Sequence, residues 1–271
     1  MTSDPLPEND PTEIEHSRLV YGYFRKVADI SESLESMPTP EAGSRLDTDD
    51  QRVPTRRVSN YAHSQMVVAV GCLESLERMI SRETEDEVSL SIAPYGYFAL
   101  IRNAIDCIAS AVWLMEPVNG TLRIKRLLML QVDEVSKASA FRSNTGIEHK
   151  EYKRSHRARL QEISVEAKLG AWSPLKSPLP TMTKILIAIE RLHGEARFSW
   201  LALWQLASGH AHGKNWATLS SHQKEQIPGS EHEYGATFRV TASYSILAYF
   251  LLEVVGMLEL CIERYQELSR P

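Results

Sequence analysis

A serine and two histidines, Ser208, His210 and His212, close an apolar stretch that begins at Trp200. A free imidazole has a pKa of about 6.5, so it exchanges protons close to neutral pH and suits general acid or base catalysis. On a helix, Ser208 and Gln205 would share the face of His212, where either side chain could orient the ring. The spacing therefore predicts a proton-transfer site in which His212 is the first candidate and His210 the second.

Helical phase separates the two histidines. Residues two positions apart differ by about 200° around a helix axis, so His210 and His212 point in different directions and are not a ready-made metal pair. His210 follows Leu203 and Leu206 on the apolar side, which favours a packing role. A histidine in the last turn, just ahead of a capping Gly213, also stabilises the carbonyl end of a helix without any catalysis. Acid–base chemistry and helix capping both stay open.

A second polar group interrupts an apolar helix that the spacing predicts over residues 94–116. It consists of Arg102, Asn103 and Asp106. Arg102 and Asp106 are four residues apart and can form an ion pair, which would satisfy charges in such apolar surroundings. Alternatively, the planar fork of donors on Arg102 faces the histidine helix and binds phosphate. We expect Asn103, Asp106 and Gln205 to be structural polar residues.

A basic segment over residues 142–159 is the third feature, with six cationic side chains against Glu148 and Glu151. The six are Arg142, Lys150, Lys153, Arg154, Arg157 and Arg159. Such a segment forms either a solvated helix face or a track for the phosphates of RNA or DNA. No ladder of aromatic residues accompanies it, so base stacking is not predicted there. The acids and histidines lack metal-ligand spacing, and we expect no metal and no cofactor.

Three- and four-residue steps between apolar positions predict an all-α helical bundle of about eight helices with a long C-terminal helix. We expect one domain over residues 13–271, after a flexible acidic tail over 1–12. Residues 37–56 lack periodicity and predict a long loop, and residues 214–235 predict a surface loop or lid. The helices are expected at about 13–35, 59–82, 94–116, 121–143, 148–169, 181–192, 196–212 and from about 240 onward.

Composition limits the class of protein. The chain has 271 residues, 43% of them hydrophobic, and a formal net charge of -5, which argues against coating of the whole surface by nucleic acid. Three cysteines without CxxC spacing indicate buried thiols in a reducing compartment. The acidic, proline-rich start does not resemble a signal peptide, so we expect a cytoplasmic protein. Glu253 and Glu259 favour a core or dimer-interface role for the last helix over a membrane span.

The helical pattern, the arginine in a central helix and the late His210-Ala211-His212-Gly213 together resemble the HEPN superfamily. Its members are helical bundles, often dimeric, and many cut RNA without metal in toxin–antitoxin and antiviral defence systems. They use an arginine a short distance ahead of a histidine. In this chain the corresponding positions, Leu203 to Ala207, hold no arginine. Under this resemblance Arg102 would have to supply the guanidinium from another helix.

The resemblance implies a homodimer that binds RNA or a nucleotide and acts as a metal-independent ribonuclease. His212 would then be the acid or base, assisted by Ser208 and His210, while Arg102 neutralises phosphate and the basic segment holds the strand. The alternative is a non-catalytic homodimeric interaction protein. In that case Trp200, Trp204 and the last helix form the partner surface, and the histidines are helix caps.

Overall fold

A computed structural model describes residues 11–83, 88–193 and 197–271. These ranges are mainly helical, which confirms the predicted all-α class, although they contain ten helices rather than about eight. The helices are α1 Pro11–Glu35, α2 Arg45–Arg52, α3 Val58–Ile80, α4 Tyr97–Met115, α5 Gly120–Asn144, α6 Lys150–Glu166, α7 Met182–Glu190, α8 Trp200–Ala211, α9 Asn215–Ser221 and α10 Tyr244–Ser269. Strands β1 Ser81–Glu83 and β2 Val88–Leu90 pair antiparallel, as do β3 Gln223–Gln226 and β4 Phe238–Thr241.

The long loop predicted over residues 37–56 is wrong, because α2 lies within it. Ser44 caps this short helix, accepting a hydrogen bond from the Asp47 backbone N–H. Leu46 and Asp49 are buried on its inner side. A helix of eight residues is too short to show periodicity in the sequence, so the spacing of apolar residues did not indicate it. Of the predicted tail 1–12, residues 1–10 lie outside the described ranges, and α1 already begins at Pro11.

The loop predicted over residues 214–235 is also only partly correct. It contains α9 and β3, and β3 pairs with β4 in a register that joins Gln223 to Thr241 and Gln226 to Phe238. The residues of β3 are mostly exposed and polar, so the strand carries no alternation of apolar and polar positions that a sequence could reveal. The ribbon is held by its ladder of backbone hydrogen bonds rather than by burial of a face.

The chain divides into two compact units. The first contains the stretch up to Ser36, Val67–Ile108 and His193–Glu259, and the second contains Met37–Met66, Ala109–Leu192 and Leu260–Pro271. In the first unit, apolar side chains of α1, the first half of α4 and most of α10 are buried, including Phe24, Phe98 and Phe250. In the second unit, α5 and α6 pack together and bury residues such as Leu127 and Leu160.

Two helices, α4 and α10, are long and apolar enough to cross a membrane by length and composition alone. In the most apolar window of each, 72% and 61% of the residues are buried inside the protein, as in the core helices of soluble proteins. Glu253 of α10 is buried, and its carboxylate accepts hydrogen bonds from the Phe198 N–H and the Trp200 Nε1–H, each at 3.0 Å. Protein donors therefore satisfy this charge.

Candidate functional site

The first unit brings the arginine of α4 against the middle of α8. Trp204 donates its indole N–H to Asp106 Oδ1 at 2.7 Å. Arg102 Nη2 lies 3.8 Å from Asp106 Oδ2, and its guanidinium carbon lies 5.7 Å from the centre of the Trp204 ring. The expected pairing of Arg102 with Asp106 is therefore confirmed, at a distance that holds an ion pair but no hydrogen bond. Trp204 orients both side chains.

Arg102 has unused hydrogen-bonding capacity. Its side chain is 32% exposed, and none of its N–H groups has a hydrogen-bond partner within residues 11–83, 88–193 and 197–271. Asn103 points elsewhere, donating to Cys72 Sγ at 3.1 Å. A guanidinium presents five donors in a fixed fork that matches the oxygens of phosphate. Arg102 can therefore accept an anion without giving up a protein hydrogen bond.

His210 is buried in a stack of aromatic rings. Its imidazole lies parallel to the Phe98 ring, with centroids 3.7 Å apart and planes 4° apart. The His222 ring lies 4.8 Å away, and His210 Nε2 is 2.7 Å from Ser221 Oγ. His210 therefore has the packing role that its helical phase favoured. The contacts of His210 with Ser221 and His222 were not predicted, because these two residues lie outside α8 and no spacing within that helix indicates them.

The hydrogen-bond acceptors around these histidine rings indicate which ring nitrogen carries a proton. His222 Nε2 is 2.5 Å from the Pro94 carbonyl oxygen, which can only accept, so His222 carries a proton on Nε2. Ser221 Oγ lies 3.1 Å from His222 Nδ1 and 2.9 Å from the Ala217 carbonyl oxygen. Burial, and then the nearby His222, lower the pKa of His210 to about 4. His210 is therefore a neutral ring at pH 7, and its buried Nδ1 has no partner in the described part of the chain.

We expect the stability of the protein to depend on His210 in mildly acidic solution. The unfolded chain protonates this histidine below about pH 6.5, whereas the folded chain resists protonation down to about pH 4. The free energy of unfolding should therefore fall as pH falls through this window, by up to about 3 kcal/mol at roughly 1.4 kcal/mol per pKa unit. Urea unfolding followed by circular dichroism at several pH values measures this slope.

The matched variant is His210→Phe, which keeps a flat ring on Phe98 but cannot take up a proton. Its unfolding free energy should depend less steeply on pH than that of the wild type between pH 6.5 and 4. His232→Ala, which removes an exposed histidine of the same unit, should leave the wild-type slope unchanged. Equal slopes in wild type and His210→Phe would contradict the argument.

His212 lies at the very end of α8, exposed to solvent. It occupies the C-cap position, and Gly213 follows in the left-handed conformation with φ of 62°. The Gly213 N–H donates to the His210 carbonyl at 2.9 Å and the Lys214 N–H to the Gly209 carbonyl at 2.8 Å. This double pattern closes the helix and requires a residue that tolerates positive φ. Gly213 was expected at the cap, and it lies one residue beyond it.

Three side chains of α8 form a stripe that solvent reaches. Trp204 and Ser208 are half-buried and His212 is exposed, and they follow one another at four-residue steps on one helix face. Each step rises about 6 Å along the axis, so His212 lies about 12 Å beyond Trp204 and the guanidinium of Arg102 beside it. Gln205, also expected near the site, is exposed. Arg102 and His212 thus lie at opposite ends of one stripe.

Trp216 of α9 is a residue that the sequence analysis missed. Its side chain is 51% exposed, yet its ring edge is held against Gly209: a Cβ on Gly209 would lie 2.7 Å from Trp216 Cζ2. Only glycine at 209 allows this approach, so α8 and α9 together hold the ring against the last turn of α8. The sequence alone does not indicate this contact, because it depends on the turn that joins α8 to α9.

Trp200, which the interaction hypothesis placed on a partner surface, is buried with only 5% exposure and donates to Glu253. That part of the hypothesis is wrong, because a ring inside the first unit cannot contact a partner in this fold. Trp204 keeps a solvent-reached part, as described for the stripe.

The basic residues expected to hold a strand divide into two groups in the second unit. Lys150, Lys153, Arg154 and Arg157 lie within about 100° on one face of α6. Arg159 lies on the opposite face, bonded to Glu162 and Glu166. Arg142 of α5 donates to the Glu148 carbonyl at 2.6 Å and lies over Tyr152. The first group forms the basic face of α6. Among the residues that the structure describes, Arg154 is the member of this face with an acidic partner, Glu151.

Groups of three or more histidines, cysteines or acids that could hold a metal are absent from the ranges that the structure describes. Cys72, Cys107 and Cys261 are free and buried, and burial raises the pKa of the Cys107 thiol to about 12. A thiol of this kind is almost fully protonated at neutral pH and a poor nucleophile. The solvent-reached stripe, with Arg102 beside one end and His212 at the other, is the candidate site in the first unit. Compared with known protein families, curated proteins and solved structures, the chain shows no match.

Proposed function

We propose that this chain is a HEPN-like RNA-binding protein that holds the strand along the solvent-reached stripe of α8. The observation that carries the proposal is the guanidinium of Arg102, which is partly exposed, aligned by Trp204 and free of hydrogen bonds to the residues described. Arginine binds phosphate in this way because charge-assisted, bidentate hydrogen bonds are stronger than neutral ones. RNA supplies a phosphate at every nucleotide, and a stripe longer than one side chain fits a polymer better than a single anion.

Trp216, held against Gly209 near the end of α8, adds a support for a base. A half-exposed indole whose edge is fixed against Gly209 loses little side-chain entropy when a base stacks on it. Stacking on an aromatic side chain is worth about 1–3 kcal/mol per base and tolerates any sequence. A base in a duplex must lose its pairing before it can stack on Trp216, and this costs free energy. The arrangement therefore favours single-stranded RNA.

We further propose that the protein cleaves RNA without a metal ion, with His212 as the general acid or base. His212 is exposed and can reach a ribose 2′-hydroxyl, whereas His210 is buried and neutral. The 2′-hydroxyl loses its proton and its oxygen bonds to phosphorus to give a 2′,3′-cyclic phosphate, while the P–O5′ bond breaks and the 5′-oxygen gains a proton. His212 carries out one of these two proton transfers and water the other. Since about 12 Å of helix separates Trp204 from His212, Arg102 is assigned to a phosphate of the same strand other than the reacting one.

Replacing Arg102 by alanine should weaken the binding of single-stranded RNA roughly tenfold or more, because one charge-assisted contact is worth about 1.5–3 kcal/mol. Fluorescence anisotropy with a labelled oligonucleotide at several salt concentrations measures this. The salt dependence should also fall by about one phosphate contact. Arg102→Lys keeps the charge and loses the fork, so its affinity should lie between those of Arg102→Ala and the wild type.

Arg25→Ala is the matched control, since Arg25 is an exposed arginine of α1 in the same unit. It should bind RNA as the wild type does. The proposal fails if the wild type does not bind RNA at low salt, or if Arg102→Ala and Arg25→Ala have the same affinity.

A further inference from the structure

The second unit contains a pocket that the proposed function does not use. It measures about 400 Å³ and lies between α5, the end of the basic face of α6 and the segment 174–179. Arg157 and Lys176 line it together with Asp133 and two serines. A pocket of this size is typical of small-ligand sites, which bury an apolar body and orient it with a few polar groups.

The charge of this pocket is positive. Within the described ranges, neither Arg157 nor Lys176 forms an ion pair or a side-chain hydrogen bond. The carboxylate of Asp133 already has a partner, because Lys137 Nζ lies 2.7 Å from its Oδ2. Arg157 and Lys176, which come from separate elements, thus line the same pocket. Neither is paired with an acidic side chain of the described residues. This arrangement favours an anionic ligand, and arginine in particular favours phosphate.

The segment that carries Lys176 is held in place before any ligand arrives. Ser173 Oγ accepts a hydrogen bond from the Leu175 N–H at 3.3 Å, and Ser177 Oγ donates to the Ser173 carbonyl at 3.0 Å. Pro174 begins a short 3-10 turn, and Pro178 follows it, so the backbone has few alternative conformations. A preformed position reduces the entropy lost on binding.

The two serines indicate a second property of the ligand. Ser136 donates its proton to the Val132 carbonyl at 2.8 Å, and Ser177 donates to Ser173. Each hydroxyl therefore offers lone pairs, and Asp133 offers carboxylate oxygens, so the pocket wall accepts hydrogen bonds. A ligand with hydroxyl donors close to its phosphate satisfies these groups. The remaining wall includes Met129 and Leu175, which are apolar.

We propose that this pocket binds a nucleoside monophosphate. Its phosphate lies between Arg157 and Lys176, its ribose hydroxyls donate to Ser136, Ser177 or Asp133, and its base rests on the apolar wall. The same chemistry is present in a free mononucleotide and in the 5′-terminal nucleotide of a phosphorylated RNA strand. All residues that line this pocket belong to the second unit, so the site is independent of the role of α8.

Isothermal titration of the full chain at low salt tests the proposal with AMP, adenosine and inorganic phosphate as separate probes. AMP should bind more tightly than either of its parts. Arg157→Ala should weaken AMP binding roughly tenfold or more, as expected for the loss of a charge-assisted contact. Lys176→Ala should weaken it several-fold, and this substitution on an exposed turn avoids any dependence on the folding of α6.

Lys184→Ala, which removes an exposed lysine of α7 outside the pocket, is the control and should bind AMP as the wild type does. Equal weakening by Lys184→Ala would show a general effect of surface charge and overturn the site. Equal affinity for AMP and inorganic phosphate would overturn the nucleoside part, and failure of AMP to bind would overturn the whole proposal. A 5′-phosphorylated oligonucleotide that competes with AMP, beside a 5′-hydroxyl strand that does not, would identify the RNA terminus as a source of the ligand.

Discussion

Replacing Asp49 by alanine should destabilise the protein by about 3–5 kcal/mol, the range observed when one partner of a buried ion pair is removed. Asp49 Oδ2 accepts a hydrogen bond from Arg123 Nε at 2.6 Å, and the two side chains are 3% and 2% exposed. Arg123 Nη1 also donates to the carbonyls of Pro117 and Val118, at 2.6 and 3.0 Å. Without Asp49, the guanidinium stays buried among these dipoles with no opposite charge.

The close approach of α2 to α5 depends on a glycine. A Cβ on Gly120 would lie 2.0 Å from Asp49 Oδ1, so no other residue leaves room for the carboxylate. The ion pair thus joins a short helix to the start of a long one within the second unit. Loss of this ion pair should therefore also weaken the packing of α2 against α5.

Urea unfolding followed by circular dichroism measures the effect. Asp49→Asn keeps the shape and an acceptor but loses the charge, and it should fall between the wild type and Asp49→Ala. The double variant Asp49→Ala with Arg123→Met should be less destabilised than Asp49→Ala alone, because it removes the uncompensated charge. Lys26→Ala breaks an exposed pair with Glu259 and should change stability by about 1 kcal/mol or less. A loss for Asp49→Ala no larger than for Lys26→Ala would refute the prediction.

Replacing His212 by alanine should reduce cleavage of single-stranded RNA by about 10²–10⁴-fold, the contribution of a positioned general acid or base. RNA binding should change little, since His212 makes no phosphate contact in this scheme. Incubation of a labelled oligonucleotide with purified protein in EDTA, with products resolved on a gel, measures the rate. EDTA binds the metal ions that contaminating metal-dependent nucleases need, so these enzymes do not contribute to the measured rate.

His232→Ala is the control for His212→Ala, because it removes an exposed histidine of the same unit far along the chain. It should cleave at the wild-type rate. Intact RNA after incubation with the wild type would refute the cleavage step while leaving the binding proposal to the Arg102→Ala experiment. Equal cleavage by wild type and His212→Ala would assign the activity to another group or to a contaminant.

The long helices could be predicted from the sequence, because each buries a face whose apolar residues recur every three or four positions. That pattern is local, and α1, α3, α4, α5, α6 and α10 lie within a few residues of their expected bounds. The same physics separated His210 from His212, since helical phase alone directs them apart. The sequence could not reveal α2, which is too short for a period, or the β3–β4 ribbon, whose residues are mostly exposed.

The candidate site depended on contacts between residues far apart in the chain. The sequence by itself determined that Arg102 and Asp106 lie one helical turn apart, close enough to pair, and that α8 would end near Gly213, because both follow from spacing within one helix. Only the tertiary structure decided that Trp204 of α8 would bind Asp106 of α4 and lie beside Arg102, that Ser221 and His222 would enclose His210, and that Trp216 would rest on Gly209. Such contacts depend on how helices cross, and packing across a core sets that crossing without leaving a period in the sequence.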